Sequence, residues 1–210
     1  SSRTSPRVAP QLSRRGGAAK TMAMPSRSPA RPAAAPATPP VASPSGQEPK
    51  ASRVTPKVGE PAPNFDLPAD DGQRYALAGL QGRRFALFFY PRDSTPGCTT
   101  EACDFRDRHA ALQAAGVQVL GVSGDDLKSH AKFRSKHALS FPLLSDVGNE
   151  VARAYGAFGD KTLYGRVSQG IIRSTFLVGP TGRIEAVWSP VKVTGHAEAV
   201  LQAVLGNRTA

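Results

Sequence analysis

The feature that most constrains the fold is a continuous apolar run from Phe85 to Tyr90, bounded by two arginines and by Pro91. The run is too short for a buried helix, and its lack of alternation predicts a strand covered on both faces. A helical pattern follows from about Thr95 to Ala114, and a second apolar strand follows at 117–123. The succession of strand, helix and strand predicts an α/β domain.

The remaining pattern predicts a mixed central sheet flanked by helices, compatible with a thioredoxin-like fold. Two short strands around an Asp-Gly turn precede the apolar run, and a hairpin across the "GPTG" turn precedes a last helix. A Gly-rich stretch near 156–170 is interpreted as a loop. The other expected elements are strands at Phe65–Leu67, Arg74–Leu77 and "FPLLSD", helices from Asp125 or Asp126 to about His137, over "NEVARAYGAF" and from about His196 to Leu205, and hairpin strands "IIRSTFLV" and "RIEAVWS".

The first 58 residues differ in composition from the rest of the chain. They hold ten Lys or Arg against one acidic residue, and thirteen of the nineteen prolines occur by Pro63, so most of the net charge of +11 belongs here. With few large apolar residues, this segment cannot offset the entropy of ordering. We therefore predict a disordered Pro/Ala/Arg-rich tail at 1–58 and one folded domain at 59–210.

Three interpretations of the tail stay open: a transit peptide, a contact with nucleic acid or an anionic membrane surface, and a solvated linker or translated extension. Its basic residues are scattered and not interleaved with aromatic residues, which makes nucleic acid an unlikely partner. No apolar run is long enough to span a bilayer, and no secretory segment stands out. These features favour the cytoplasm, with an organelle as the alternative if the tail is a transit peptide.

Both cysteines of the chain, Cys98 and Cys103, lie at the predicted junction between strand and helix. Thr95 is a suitable N-cap, Pro96 suits the first turn, and Gly97 permits close approach to the backbone. Unpaired N–H groups and the helix dipole favour an anion at that position. We therefore expect Cys98 to be an accessible, nucleophilic thiolate.

Cys103 lies in the second turn of the same predicted helix. Helix geometry separates the two Cα atoms by about 8.6 Å and directs the side chains about 140° apart. A disulfide needs Cα atoms within about 7 Å, so the pair can close only if the helix start unwinds. A sulfenic acid on Cys98 would then condense with Cys103. Two inert core cysteines are one alternative; a zinc site is another, but the four histidines supply no suitable ligand set.

The motif "PRDSTPGC" resembles the P-x-x-x-T-x-x-C signature of peroxiredoxins, through Pro91, Thr95 and Cys98. The later cysteine in "TTEAC" resembles the bacterioferritin-comigratory, or Q-type, subgroup. The similarity extends over roughly residues 54 to 206, through "VGEPAPNF", "GVSGDD", "FPLLSD" and "GIIRSTFLV". It implies a thiol-dependent peroxidase that uses no metal, haem or flavin.

The resemblance also implies a role for each matching residue. Cys98 would attack hydrogen peroxide or an organic hydroperoxide, and Cys103 would resolve the product as an intramolecular disulfide. Thr95 would bond peroxide and thiolate, Pro91 would shield the pocket from water, and Arg173 would orient the peroxide. Thioredoxin or a similar dithiol would be the reductant, and a monomer is expected because both cysteines lie on one chain.

From the residues alone, several assignments stay open. Arg173 reads as an arginine within a strand, for which a surface position is equally open. Glu101 reads as an acid that stabilises the first helical turn, with no chemistry assigned. A redox-sensing or chaperone-like protein that uses the same cysteine switch is the main alternative to an enzyme, and a nucleic-acid-associated protein is a third.

Overall fold

The computed structural model describes residues 54–163 and 166–206. These residues contain nine strands and four α-helices, and outside 156–170 the strands and helices follow one another in the order that the sequence predicts. The elements are β1 Asp66–Pro68, β2 Arg74–Ala76, a 3₁₀ helix Leu77–Leu80, β3 Arg84–Phe89, α1 Pro96–Ala114, β4 Val117–Ser123, α2 Leu127–His137, β5 Leu143–Ser145, α3 Glu150–Ala154, β6 Phe158–Leu163, β7 Arg166–Ile171, β8 Ser174–Val178, β9 Ile184–Trp188 and α4 His196–Gly206.

The central sheet has five strands in the order β5-β4-β3-β8-β9. Strands β3, β4 and β5 are parallel, whereas β8 and β9 join antiparallel to the other side of β3. The predicted α/β fold with a mixed central sheet is therefore confirmed. The α1 helix connects β3 to its parallel neighbour β4, so its N-terminus lies beside the carboxyl end of the central strand.

Strand β3 is buried on both faces, as its unbroken apolar run predicts. Phe85, Leu87 and Phe89 pack into one hydrophobic cluster, and the residues between them pack into a second cluster on the other face of the sheet. The second cluster also contains the inner faces of α1 and α4. The start of α1 is thus part of a core and not an appendage of the sheet.

The prediction of a loop near 156–170 is wrong. Strands β6 and β7 pair antiparallel in full register from Phe158↔Ile171 to Leu163↔Arg166 and form a separate two-stranded sheet. At its base, the Ile172 amide donates to the Ala157 carbonyl over 2.7 Å. Because these strands pair with each other and not with the central sheet, they carry no long apolar run. Their glycines and polar residues look like a loop in the sequence.

The predicted tail falls mostly on residues 1–53, which lie outside the described residues, so the boundary at residue 58 stays a prediction. Residues 54 and 55 lie against Gly156, where an added Cβ would come within 2.6 Å of the Val54 carbonyl oxygen. Gly156 also has φ of +62°, a conformation that glycine adopts at low cost. None of the helices in the described part of the chain combines the length and the hydropathy that a membrane crossing requires.

Candidate active site

Cys98 lies in the first turn of α1 and is 1% exposed. Its side chain continues the buried stripe of Ala102, Phe105, His109 and Leu112, as the helical spacing predicts. The expectation of an accessible sulfur is wrong for this conformation. The same spacing that places Cys98 at the helix start also turns it toward the core, where it joins the cluster of Phe88 and Phe105.

Arg173 directly precedes β8, the antiparallel neighbour of β3, and contacts Cys98 from there. Its Nη2 donates a hydrogen bond to Cys98 Sγ over 3.2 Å. Gly97 leaves room for this contact, since a Cβ there would already lie 3.4 Å from Nη2. Burial lowers the pKa of Arg173, but the charges of Glu101 and Cys98 outweigh it, so the pKa lies above its usual value. The arginine that matches the family pattern therefore contacts the sulfur.

The sequence predicts that Arg173 lies within a strand. Its backbone instead lies in the short segment between β7 and β8. Its carbonyl accepts a hydrogen bond from the Val191 amide over 2.9 Å. The next residue, Ser174, donates its hydroxyl to the Ile172 carbonyl and also pairs with the Ser189 hydroxyl. These bonds on both sides of Arg173 fix the direction in which its side chain leaves the backbone.

Glu101 is the site residue that the sequence interpretation missed. It is 1% exposed and forms an ion pair with Arg173 through Oε2, across 72 positions in the sequence. Its other oxygen, Oε1, is buried and has no hydrogen-bond partner among the described residues. Burial raises the pKa of Glu101 to about 7, because the attraction of Arg173 offsets the desolvation only in part.

Lys161, on β6, is a second cation, and its pKa depends on the charges of the site residues. Burial lowers its pKa, while the charge of Cys98 raises it and that of Arg173 lowers it. The side chain is half-buried, and its Nζ lies 3.4 Å from where a Cβ on Gly170 of β7 would be. No local sequence signal indicated Lys161, because its stretch was interpreted as a loop.

The loop that precedes α1 carries the other two motif residues, Thr95 and Pro91. Thr95 occupies the N-cap position of α1 with extended backbone, but its side chain makes no capping bond. The hydroxyl instead donates to the Arg92 carbonyl over 3.0 Å, which is a correction to the predicted cap. Pro91 is exposed and directly follows Tyr90 at the end of β3.

Cys103 lies on the same unbroken helix as Cys98, and both thiols are free. Cys103 is half-buried beside the apolar stripe, where the helical spacing predicts it. The structure thus brings Cys98, Arg173 and Glu101 together and leaves Cys103 on a neighbouring face of the helix.

Comparison with known proteins identifies the family that this chain matches. The model of the AhpC/TSA family matches residues 58–187. A putative peroxiredoxin bcp of Coxiella burnetii is 49% identical over 145 residues, which are 69% of this chain and 96% of that protein. Peroxiredoxin Bcp of Bacillus subtilis is 42% identical over 149 residues, covering 71% of this chain and 95% of its own.

Solved structures give the same result. The bacterioferritin comigratory protein of Xanthomonas campestris superposes with a TM-score of 0.65 at 41% identity, over 68% of this chain and 91% of that one. A mutant of PrxQ from Xylella fastidiosa superposes with a TM-score of 0.69 at 36% identity, over 74% of this chain and 99% of that one.

Proposed function

The chain belongs to the AhpC/TSA family, as a peroxiredoxin of the Bcp or Q type, and on this premise we propose that Cys98 is the sulfur that attacks peroxide. Membership of this family implies a thiol-dependent peroxidase, an oxidoreductase that acts on a peroxide with a thiol reductant. The observation that carries the assignment to Cys98 is the 3.2 Å hydrogen bond from Arg173. A guanidinium at this distance favours the thiolate form of the sulfur.

In the first step, the Cys98 thiolate attacks the nearer peroxide oxygen and the O–O bond breaks. Cys98 becomes a sulfenic acid, and the departing alkoxide or hydroxide takes up a proton and leaves as alcohol or water. Arg173 lies where it can bond both the sulfur and the charge that develops on oxygen. Thr95 is the proposed donor to the peroxide from the loop, and Pro91 the residue that limits water entry.

In the second step, the Cys103 sulfur attacks the sulfenic sulfur, an S–S bond forms, and water leaves. The unbroken α1 helix prevents this attack, so its first turns must unwind before the disulfide forms. A dithiol such as thioredoxin then reduces the disulfide and restores both thiols. Amides near 98–106 should exchange faster with solvent in the oxidised protein; unchanged exchange there would contradict the unwinding step.

We further propose hydrogen peroxide and alkyl hydroperoxides as the substrates. Alkyl peroxide reduction is an activity of the bacterioferritin comigratory protein of Xanthomonas campestris, which shares this fold at 41% identity. We propose that the enzyme acts as a monomer, because both cysteines lie on one chain, and that it works in the cytoplasm. The activity is assigned to residues 59–210.

The decisive experiment compares Cys98→Ser with Cys103→Ser in a peroxide assay coupled to thioredoxin. Cys98→Ser should consume no peroxide, because the attacking sulfur is absent. Cys103→Ser should still consume one equivalent and accumulate the sulfenic acid, detected by mass spectrometry. Full activity in Cys98→Ser would overturn the assignment. Oxidation of the wild type that stops after one equivalent, with reductant present, would favour the redox-sensor alternative.

A further inference from the structure

A buried polar cluster lies beneath the loop that carries the peroxidatic motif. Its centre is Asp93, which is 6% exposed and lies between Pro91 and Thr95. The Tyr90 hydroxyl donates to Asp93 Oδ1 over 2.8 Å, and the Ser129 hydroxyl donates to Oδ2 over 2.7 Å. Neither attack on peroxide nor disulfide formation, as described above, uses this carboxylate. The function of this carboxylate therefore depends on the groups that it holds in place.

His130, on α2, completes the cluster and is fully buried. Its Nδ1 lies 2.9 Å from Asp93 Oδ2, and its Nε2 lies 3.2 Å from the Leu144 carbonyl oxygen. The ring of His130 is thus held at both nitrogens, by the Asp93 carboxylate on one side and by the Leu144 carbonyl on the other. Burial raises the pKa of Tyr90 well above its usual value, so Tyr90 stays a neutral donor.

The Asp93 backbone is held as firmly as its side chain. Its amide donates to Asp125 Oδ2 over 2.7 Å, and the Ser123 hydroxyl donates to the same oxygen. The next residue, Ser94, has φ of 58°, a left-handed conformation that is unfavourable for a non-glycine residue. The bonds to Asp93 on one side and the bond from Thr95 to Arg92 on the other maintain this conformation.

We propose that Asp93 and His130 are positioning residues, a buried hydrogen-bonded pair that fixes the 91–95 loop so that Pro91 and Thr95 stay aligned with Cys98. This proposal rests on the proposed peroxidase function and adds two residues that do not touch the sulfur. The pair links the loop to α2 and, through the Leu144 carbonyl, to β5. It thereby holds the loop in place even when the first turns of α1 open downstream.

The test is the rate of Cys98 oxidation by hydrogen peroxide in a single turnover. Asp93→Asn places an amide against the donors of His130 and Ser129, so the loop should shift. A displacement of about 1 Å at a reacting centre can reduce a rate by a factor on the order of 100, and we expect the second-order rate constant to fall by about tenfold to a hundredfold. His130→Asn retains a donor toward Asp93 and should lose less activity than His130→Ala.

A second readout separates positioning from a general loss of stability. The first-order rate of disulfide formation depends on the helix start and should stay at the wild-type value in Asp93→Asn. Destabilisation of the whole region would instead change that rate as well. The matched control is Asp71→Asn, which places an amide against the Tyr75 hydroxyl at an exposed site with the same 2.8 Å distance and should change neither rate.

If Asp93→Asn does not fold, Ser129→Ala decides the question, because it removes one donor to the same carboxylate from a half-buried position. Oxidation rates within twofold of wild type in every folded variant of Asp93, His130 and Ser129 would overturn the positioning role and leave the peroxidase assignment intact. A wild-type protein that does not react with peroxide would overturn both.

Discussion

One guanidinium serves two acceptors in this site. Arg173 bonds the Cys98 sulfur through Nη2 and pairs with Glu101 through Nη1. The planar fork of arginine can satisfy both at once, whereas the ammonium of lysine is a single point of charge. Glu101 thus orients the cation that favours the thiolate.

This geometry predicts that Arg173→Lys retains the charge but loses most of the activity. Loss of one donor to a developing anion costs roughly a hundredfold in rate. The second-order rate constant for Cys98 oxidation should fall by about that factor, measured by quenched-flow mass spectrometry. Arg183→Lys, which changes an exposed arginine that bonds the Gly59 carbonyl, is the matched control. A rate in Arg173→Lys equal to that control would contradict the role of the fork.

The residue contacts also show where sequence reasoning ends. The motif spacing located Cys98, Thr95 and Pro91 and the family pattern pointed to Arg173, but nothing near Glu101 indicated its partner 72 positions away. The pairing depends on how β8 returns beside β3, which is a property of the tertiary fold. The same limit explains the wrong expectation for the exposure of Cys98, since a helix start is accessible only where no core covers it.

Among the elements, α1 is tied near its start to α4. Besides Glu101, its main tie is Asp104, which accepts from the Ala197 amide at the start of α4 over 3.2 Å and pairs with Arg108 on its own helix. Arg108 continues to Glu198 on α4 over 2.9 Å. Opening of the first turns must break the contact between Asp104 and α4.

We therefore predict that Asp104→Asn speeds disulfide formation. The substitution weakens a charge-assisted bond worth roughly 1.5–3 kcal/mol, part of which is retained by the amide oxygen, so an increase of a few-fold in the resolution rate is expected. Stopped-flow measurement of sulfenic acid decay checks it. Asp66→Asn, which changes an exposed partner of Arg74 in the β1–β2 hairpin, should leave the rate unchanged. A slower rate in Asp104→Asn would show that α4 does not restrain the helix start.

The elements themselves were predictable where burial leaves a periodic trace. Strand β3 and helix α1 were evident because one is apolar throughout and the other has a stripe at helical spacing. The β6–β7 hairpin was not, because it pairs with no strand of the central sheet. Its missed assignment also concealed Lys161.

For the whole molecule, two buried groups make the free energy of unfolding depend on pH in opposite directions. Burial lowers the pKa of His196 to about 4, so this residue must stay neutral in the fold, and stability is lost as the pH falls from 6.5 toward 4. Burial raises the pKa of Glu101 to about 7, so the folded state prefers the protonated acid, and stability is lost as the pH rises from 4.5 toward 7. Each effect is on the order of 3 kcal/mol.

Between about pH 4.5 and 6.5 the two contributions are opposite in sign and should nearly cancel, so the wild type should show neither of them. Single variants should reveal the hidden slopes. Glu101→Gln should become more stable as the pH rises, and His196→Gln should become less stable. Urea unfolding at several pH values checks both. Parallel profiles for the three proteins would show that these two groups do not set the dependence.

The burial of Cys98 among Phe88, Phe105 and Ala102 has a consequence for how fast such a molecule can work. Because the sulfur lies in the interior, each turnover requires this part of the core to open and then to pack again. Tight packing in this part of the core and a high turnover rate are therefore opposed. Mutations selected for heat resistance there should prolong the life of the oxidised sulfur and expose it to a second peroxide before its partner arrives.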